Sequence, residues 1–300
     1  MINAKNALMT AAAVGTLMAG FTAGPAAAQT DLSDACPNPM RMADTGIEGM
    51  GQLDESFGPF QEAFQEHTGL ELELYSLSNR TAAGNALQYD EVELVFAGPS
   101  EFVLFQQEID EGVEILFDIK RPYYGSTFLA RAETGLESLE DIDEDTEIAM
   151  KDTGSTSGHI IPSKMLVDAG HDINDLDITM AGDAFVQAVA NGDVDVMAGG
   201  NDDADEVQEE LDPDGDYRVL AESDQLPGDP VLIRANLPSE CKTQLQETLK
   251  ENQDALWQAL ISTDRNEEKF LNRGSEMGFS LTAEDYEVIK DAYDAAGIEL

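Results

Sequence analysis

The sequence predicts an α/β protein of two lobes. Strand-like runs alternate with helix-like stretches from Arg41 to Arg234, the chain is too long for one core, and no repeat or long linker divides it. A mature chain of about 270 residues suits two cores of roughly 100 to 150 residues each. The lobes are expected to join through short crossings near Lys120 and Ser223. One lobe then comprises residues 29–121 with 224–300 and the other residues 122–223, a hinge layout.

Residues 1–28 read as a signal peptide. Lys5 gives a thin positive region, Ala7 to Phe21 an apolar stretch, and Ala26-Ala27-Ala28 a small-residue cleavage site ahead of Gln29. The expected location is periplasmic or otherwise extracytoplasmic. No later segment reaches the ~20 apolar residues of a spanning helix, so the chain is read as not crossing the membrane, and a monomer is expected. Cys36 and Cys241 are then a pair in an oxidising compartment, either joined or left as two thiols.

Strands are expected at Leu70 to Tyr75, Val92 to Phe96, Val113 to Ile119, Tyr124 to Arg131, Glu147 to Met150, Val194 to Ala198 and Tyr217 to Ala221. Phe57, Phe60 and Phe64 recur at helical spacing between Leu53 and Thr68, an apolar stripe that reads as core rather than ligand platform. The last 60 or so residues turn helical, with Leu245, Leu249, Leu256 and Leu260 on one face and Trp257 beside it, a segment expected to pack back on the first lobe.

The formal charge of -45, from 61 acidic against 16 basic residues, argues against nucleic acid or an anionic membrane as a partner, since either needs a basic face. The acids are spread along a chain that keeps its apolar periodicity, so they form an acidic skin rather than a disordered tail. The expected setting is high salt, where a Debye length of ~3 Å at 1 M screens self-repulsion and lets an anionic ligand approach. The alternative is an ordinary acidic secreted protein at low salt.

Asp152-Thr153-Gly154-Ser155-Thr156-Ser157-Gly158-His159 follows the expected strand at Glu147 to Met150 and opens a helical pattern ending at Gly170. Pro162 is tolerated only near a helix start, which places that start close to Ser157. Free N–H groups, the positive end of the helix dipole, three hydroxyls and small glycines suit a tetrahedral oxyanion. Taken alone, the stretch reads first as a Ser/Thr N-cap in a Gly-rich turn.

The stretch resembles the Ser-Thr-Ser-Gly motif of the phosphonate/phosphite/phosphate-binding proteins of ABC importers, and the resemblance recurs in order along the chain. Val92 to Ser100 resembles the family's strand, turn and helix start; Val189-Ala190-Asn191-Gly192-Asp193-Val194-Asp195 and Leu226-Pro227-Gly228-Asp229-Pro230 resemble two later segments. The resemblance implies a type II periplasmic-binding-protein fold, two α/β lobes with a ligand cleft between them. It implies that Ser155, Thr156 and Ser157 hold phosphoryl-type oxygens and that Tyr124 lines the cleft. Asp229 and Asp202 match acids that contact the ligand's ammonium in aminophosphonate binders; with a simple oxyanion such acids would accept a hydrogen bond from a protonated ligand oxygen. For Asp202 a solvated acidic helix start is the competing reading.

Two departures bear on the ligand. Ala181-Gly182-Asp183 stands where many members carry a His, and Asn79-Arg80-Thr81 where a cleft Tyr is common. Arg80 is read as a bidentate donor replacing the lost one, or else as a surface Arg at a helix start.

An enzyme is not expected. Gly154-Ser155-Thr156-Ser157-Gly158 has Thr at the centre where a hydrolase elbow needs Ser. His67, His159 and His171 show no triad or zinc spacing, and Asp212 to Asp216 is too short for a calcium loop. No catalytic, cofactor or metal residue is therefore assigned. The leading reading is capture of a phosphonate, phosphite or phosphate-type oxyanion for a membrane permease. The alternatives are a binding protein that presents its ligand to a receptor kinase and a secreted hydrolase.

Overall fold

The computed structural model describes residues 31–46, 49–271 and 273–298, and the expected signal peptide falls outside them. In chain order, β1 (Met40–Asp44), β2 (Leu72–Leu74), β3 (Leu94–Phe96) and β4 (Val113–Lys120) precede β5 (Ser126–Arg131), β6 (Glu147–Met150), β7 (Asp177–Met180), β8 (Val196–Gly200) and β9 (Tyr217–Glu222), with β10 (Asp229–Arg234) and β11 (Glu276–Gly278) last. The first four and last two strands make one sheet in the order β11-β4-β10-β3-β1-β2, and the middle five make another, β7-β6-β8-β5-β9. In the first sheet β1 runs parallel to β2 and β3, while β10 is antiparallel to β3 and β4. In the second, β6 is parallel to β7 and β8, and β5 is antiparallel to β8 and β9.

Helices α1 (Met50–Thr68), α2 (Arg80–Gln88) and α3 (Pro99–Glu108) belong to the first sheet, and α4 (Ile161–Asp168), α5 (Phe185–Asn191) and α6 (Asn201–Glu206) to the second. They are followed by α7 (Ser239–Glu251), α8 (Gln253–Leu260), α9 (Asp264–Asn266) and α10 (Glu287–Ala296). The Phe stripe of α1 is core: Phe57, Phe60 and Phe64 are buried with Leu245, Leu249, Leu256 and Leu260 of α7 and α8. Each such ring contributes about 1.5–3 kcal/mol by leaving water. Cys36 and Cys241 are bonded, tying the turn before β1 to α7.

Strand β6 occupies the expected residues, and β5 starts two residues later than expected, at Ser126. Strand β10 differs more. Leu226 to Pro230 reads as a turn, yet β10 already begins at Asp229. Pro230 lacks an N–H, but it stands second in the strand beside a register shift at Val231/Leu232, where a ladder bond is dispensable. Its carbonyl accepts from the Ala97 N–H at 3.1 Å.

Two crossings connect the sheets, β4 to β5 and β9 to β10, and they lie side by side. The Leu226 N–H donates to the Tyr124 carbonyl at 2.8 Å, and the Ser126 N–H to Ser223 Oγ at 2.8 Å. Gly228 makes the approach feasible: a Cβ there would stand 2.0 Å from the Ile119 carbonyl oxygen, so any side chain is excluded. Behind the cleft, Ile160 and Ile161 pack in one apolar cluster with Tyr124, Tyr286 and Tyr293.

Candidate ligand-binding cleft

A cavity of about 940 Å³ separates the two sheets, and Arg80, Tyr124, Ser155, Thr156, Ser157, Asp202 and Asp229 all line it. Sequence reasoning drew these residues from five separate stretches, and the fold brings them to one space.

The motif wall is built from the end of β6. After Lys151 the chain turns through Gly154, whose φ of 88° is natural only for glycine, and Ser155 caps the next turn by accepting from the Gly158 N–H at 3.3 Å. Thr156–Ile160 form a wide helical turn running into α4, with Pro162 in the first turn of α4. Gly158 packs so tightly on β6 that a Cβ would lie 2.4 Å from Lys151 Cβ. The first turn therefore presents unpaired N–H groups to the cavity with the positive end of the dipole behind them.

The three hydroxyls are not equivalent. That of Ser155 serves as the cap. Thr156 Oγ1 reaches across to α3, donating to Ser100 Oγ at 2.8 Å and accepting from the Ser100 N–H at 3.0 Å. Ser157, only half-buried, lies beside the Tyr124 hydroxyl. Burial is the main cause that pushes the Tyr124 pKa up to about 12, so its phenol stays protonated and available as a donor. His159 Nδ1 accepts from the Gly154 N–H at 3.1 Å, and burial lowers its pKa, so it is a neutral brace of the turn.

Ionic contacts dominate the opposite wall. Arg80, at the start of α2, pairs with Glu101 at 2.6 Å and reaches Asp152 of the motif wall at 3.6 Å. Burial works to lower its pKa, but the charge and hydrogen bond of Glu101 together with the charges of Asp152 and Asp44 outweigh this and the pKa is raised. Asp202 and Asp229 are not free carboxylates. Arg121, in the first crossing, lies 3.3 Å from Asp229 and 3.7 Å from Asp202 and covers the Tyr124 ring at 3.8 Å. Lys269 also faces Asp229 at 3.5 Å, and Arg273 faces Asp202 at 3.9 Å.

Two further carboxyls titrate unusually. Asp203 accepts from the Gly200 N–H at 2.6 Å and lies 3.8 Å from Lys151; burial pushes its pKa up to about 6 against the pull of that lysine. Asp44 is raised for the same reason, with Lys269 opposing. Asp183, the acid that follows the position of the missing His at Gly182, is exposed on the rim 3.7 Å from Lys151.

Sequence reasoning missed Ser100, Glu101, Arg121, Lys151, Asp203 and Lys269. A usable signal was scarcity: with 16 basic residues in the chain, Arg121 at a crossing and Lys151 beside the motif stand out by position alone. Among the described residues there is no group of three or more His, Cys, Asp or Glu suited to a metal, and no helix is long and apolar enough to cross a membrane.

Two α/β lobes with a polar cleft at their junction, entered by a helix start, define a solute-binding protein of the type II periplasmic-binding fold. Residues 48–286 match the family described as ABC transporter, phosphonate, periplasmic substrate-binding protein, and the chain belongs to that family. Its members are periplasmic binding proteins of transport systems rather than enzymes. The chain is 27% identical over 209 residues to the phosphate-import protein PhnD of Mycolicibacterium smegmatis, a match spanning 65% of each chain. In fold it is similar to PhnD1 of Prochlorococcus marinus, solved with methylphosphonate, with a TM-score of 0.67 at 17% identity over 87% of this chain and 99% of that one. It is also similar to a binding-protein component of an ABC phosphonate transporter from Pseudomonas aeruginosa, with a TM-score of 0.56 at 20% identity over 87% and 96% of the two chains.

Proposed function

We propose that the protein captures a phosphonate, phosphite or phosphate-type oxyanion in this cleft, without turning it over, and delivers it to a membrane permease. The observation that carries the reading is the opposition of two donor sets across one cavity. The helix start at Ser155, Thr156 and Ser157, with the Tyr124 phenol, faces the Arg80 guanidinium. Small oxyanions with three or four oxygens need donors converging from several directions, which neither wall supplies alone. In this reading Thr156 and Ser157 offer main-chain N–H groups and Ser157 its hydroxyl as well, while the Ser155 N–H is held by the Asp152 carbonyl at 3.0 Å and the Ser155 and Thr156 hydroxyls are engaged with Gly158 and Ser100.

Sheet membership supports lobes of residues 29–121 with 224–300 and residues 122–223, swinging on the paired crossings. The protein is exported, with cleavage near Ala28, and acts as a monomer at high salt, as its charge of -45 suggests. Calorimetry at high salt with phosphate, phosphite, methylphosphonate and 2-aminoethylphosphonate tests the reading. Heat from at least one, with a micromolar or tighter Kd and no product, is expected; silence from all four rejects it.

A further inference from the structure

Two carboxylates facing an oxyanion site would ordinarily receive a positive group of the ligand. Here that place is taken. The Arg121 guanidinium stands between Asp202 and Asp229, with only 11% of its side chain exposed, and the Tyr124 ring stacks against it at 3.8 Å. The stacking and the two carboxylates hold the guanidinium from three sides, so it is a fixture of the cleft rather than a passing surface charge.

The pairing of the two acids points the same way. Asp202 and Asp229 bring two negative charges, whereas Arg121, Lys269 and Arg273 bring three positive ones within 3.9 Å of them. Further acids share these cations: Asp203, paired with Lys151, lies beside Asp202, Asp205 feels Arg273, and Asp44 feels Lys269. An incoming ammonium would meet two acids already paired with cations, and it would have to displace a stacked, doubly paired arginine to reach either one.

We infer that Arg121 is a specificity-determining residue, a built-in cation that occupies Asp202 and Asp229 and makes the cleft select phosphoryl oxyanions lacking a positively charged arm. The inference rests on the proposed oxyanion-binding reading and goes beyond it by setting the ligand's other end. It also gives Asp202 and Asp229 a role: they hold Arg121 in place instead of touching the ligand.

The test is a ratio of affinities. The wild-type protein is expected to bind methylphosphonate at least about tenfold tighter than 2-aminoethylphosphonate, because like-charge juxtaposition opposes the ammonium. Arg121→Met removes the guanidinium while keeping bulk against Tyr124, and it should shift the ratio toward 2-aminoethylphosphonate by about tenfold or more. A purely structural arginine would weaken both ligands together and leave the ratio unchanged. Wild-type preference for 2-aminoethylphosphonate, or an unaltered ratio in a folded Arg121→Met protein, overturns the inference while leaving oxyanion capture standing. If the variant does not fold, the wild-type ratio decides alone. Binding of neither ligand nor of phosphate or phosphite rejects the capture reading and this inference with it.

Discussion

The motif wall of the cleft comes from one stretch of chain, Lys151 to Ile160, and works through hydroxyls, main-chain amides and a helix dipole. The facing wall gathers Arg80, Glu101, Asp229 and Lys269 from widely separated stretches and works through charge. The difference matters under salt. Hydrogen bonds from amides and hydroxyls act at contact and are little affected by ions in solution. Charge pairs that keep some exposure are screened once the Debye length shrinks to ~3 Å at 1 M. In the proposed reading, a protein with a charge of -45 thus has one wall expected to depend less on ionic strength and one expected to depend on it more.

The largest expected effect would break the ionic wall. Arg80→Gln removes a charged donor and leaves Glu101, which is 3% exposed, without its partner. Affinity for the oxyanion should fall by about 100-fold near 0.1 M salt, the loss of roughly 3 kcal/mol assigned to a charge-assisted contact. The same calorimetry near 1 M salt should show a smaller deficit; an undiminished one would mean that Arg80 acts by shape. Ser157→Ala probes the other wall, and a loss of about tenfold is expected, for one hydrogen bond to a charged ligand. That deficit should be the same at both salt concentrations, which is the sharper half of the comparison.

The smallest expected effect is on stability. Asp203 has a folded pKa of about 6, raised by burial. Between about pH 4 and pH 6 the folded protein keeps a proton that the unfolded chain has lost, so this group's contribution to stability declines as pH rises through that window. Asp203→Asn removes the slope. Denaturant unfolding should show wild type losing on the order of 2 kcal/mol relative to the variant from pH 4 to pH 7. A constant difference would mean that Lys151 keeps Asp203 ionised throughout.

Legibility in the sequence followed the same division. The motif wall is local, so its turn, cap and proline are consecutive letters, and Glu147 to Met150 reads as a strand to the residue. Strands β1, β7, β10 and β11 were not foreseen, for identifiable reasons. Strand β1 is Met-Arg-Met-Ala-Asp, without a β-branched residue; β7 is largely exposed; β10 is masked by Pro230; β11 has three residues. Disulfide pairing was left open because Cys36 and Cys241 are 205 residues apart, and only the packing of α7 brings them together. On the ionic wall, Arg80 was placed by alignment spacing, but Arg121, Lys269 and Arg273 carry no local pattern. Their meaning arises when two crossings and the end of the chain converge on Asp202 and Asp229.

The paired crossings set how the halves travel. At Gly228 the second connector presses on the carbonyl of Ile119 closely enough to exclude even a methyl group, and main-chain bonds stitch it to the first. A ribbon stitched in this way bends across its width and resists sliding along its length. In the proposed hinge reading the two halves are accordingly expected to open and shut like a jaw about one axis. Each such closure would return Thr156 to the Ser100 hydroxyl it bonds at 2.8 Å, so a guest would meet the same arrangement of donors every time.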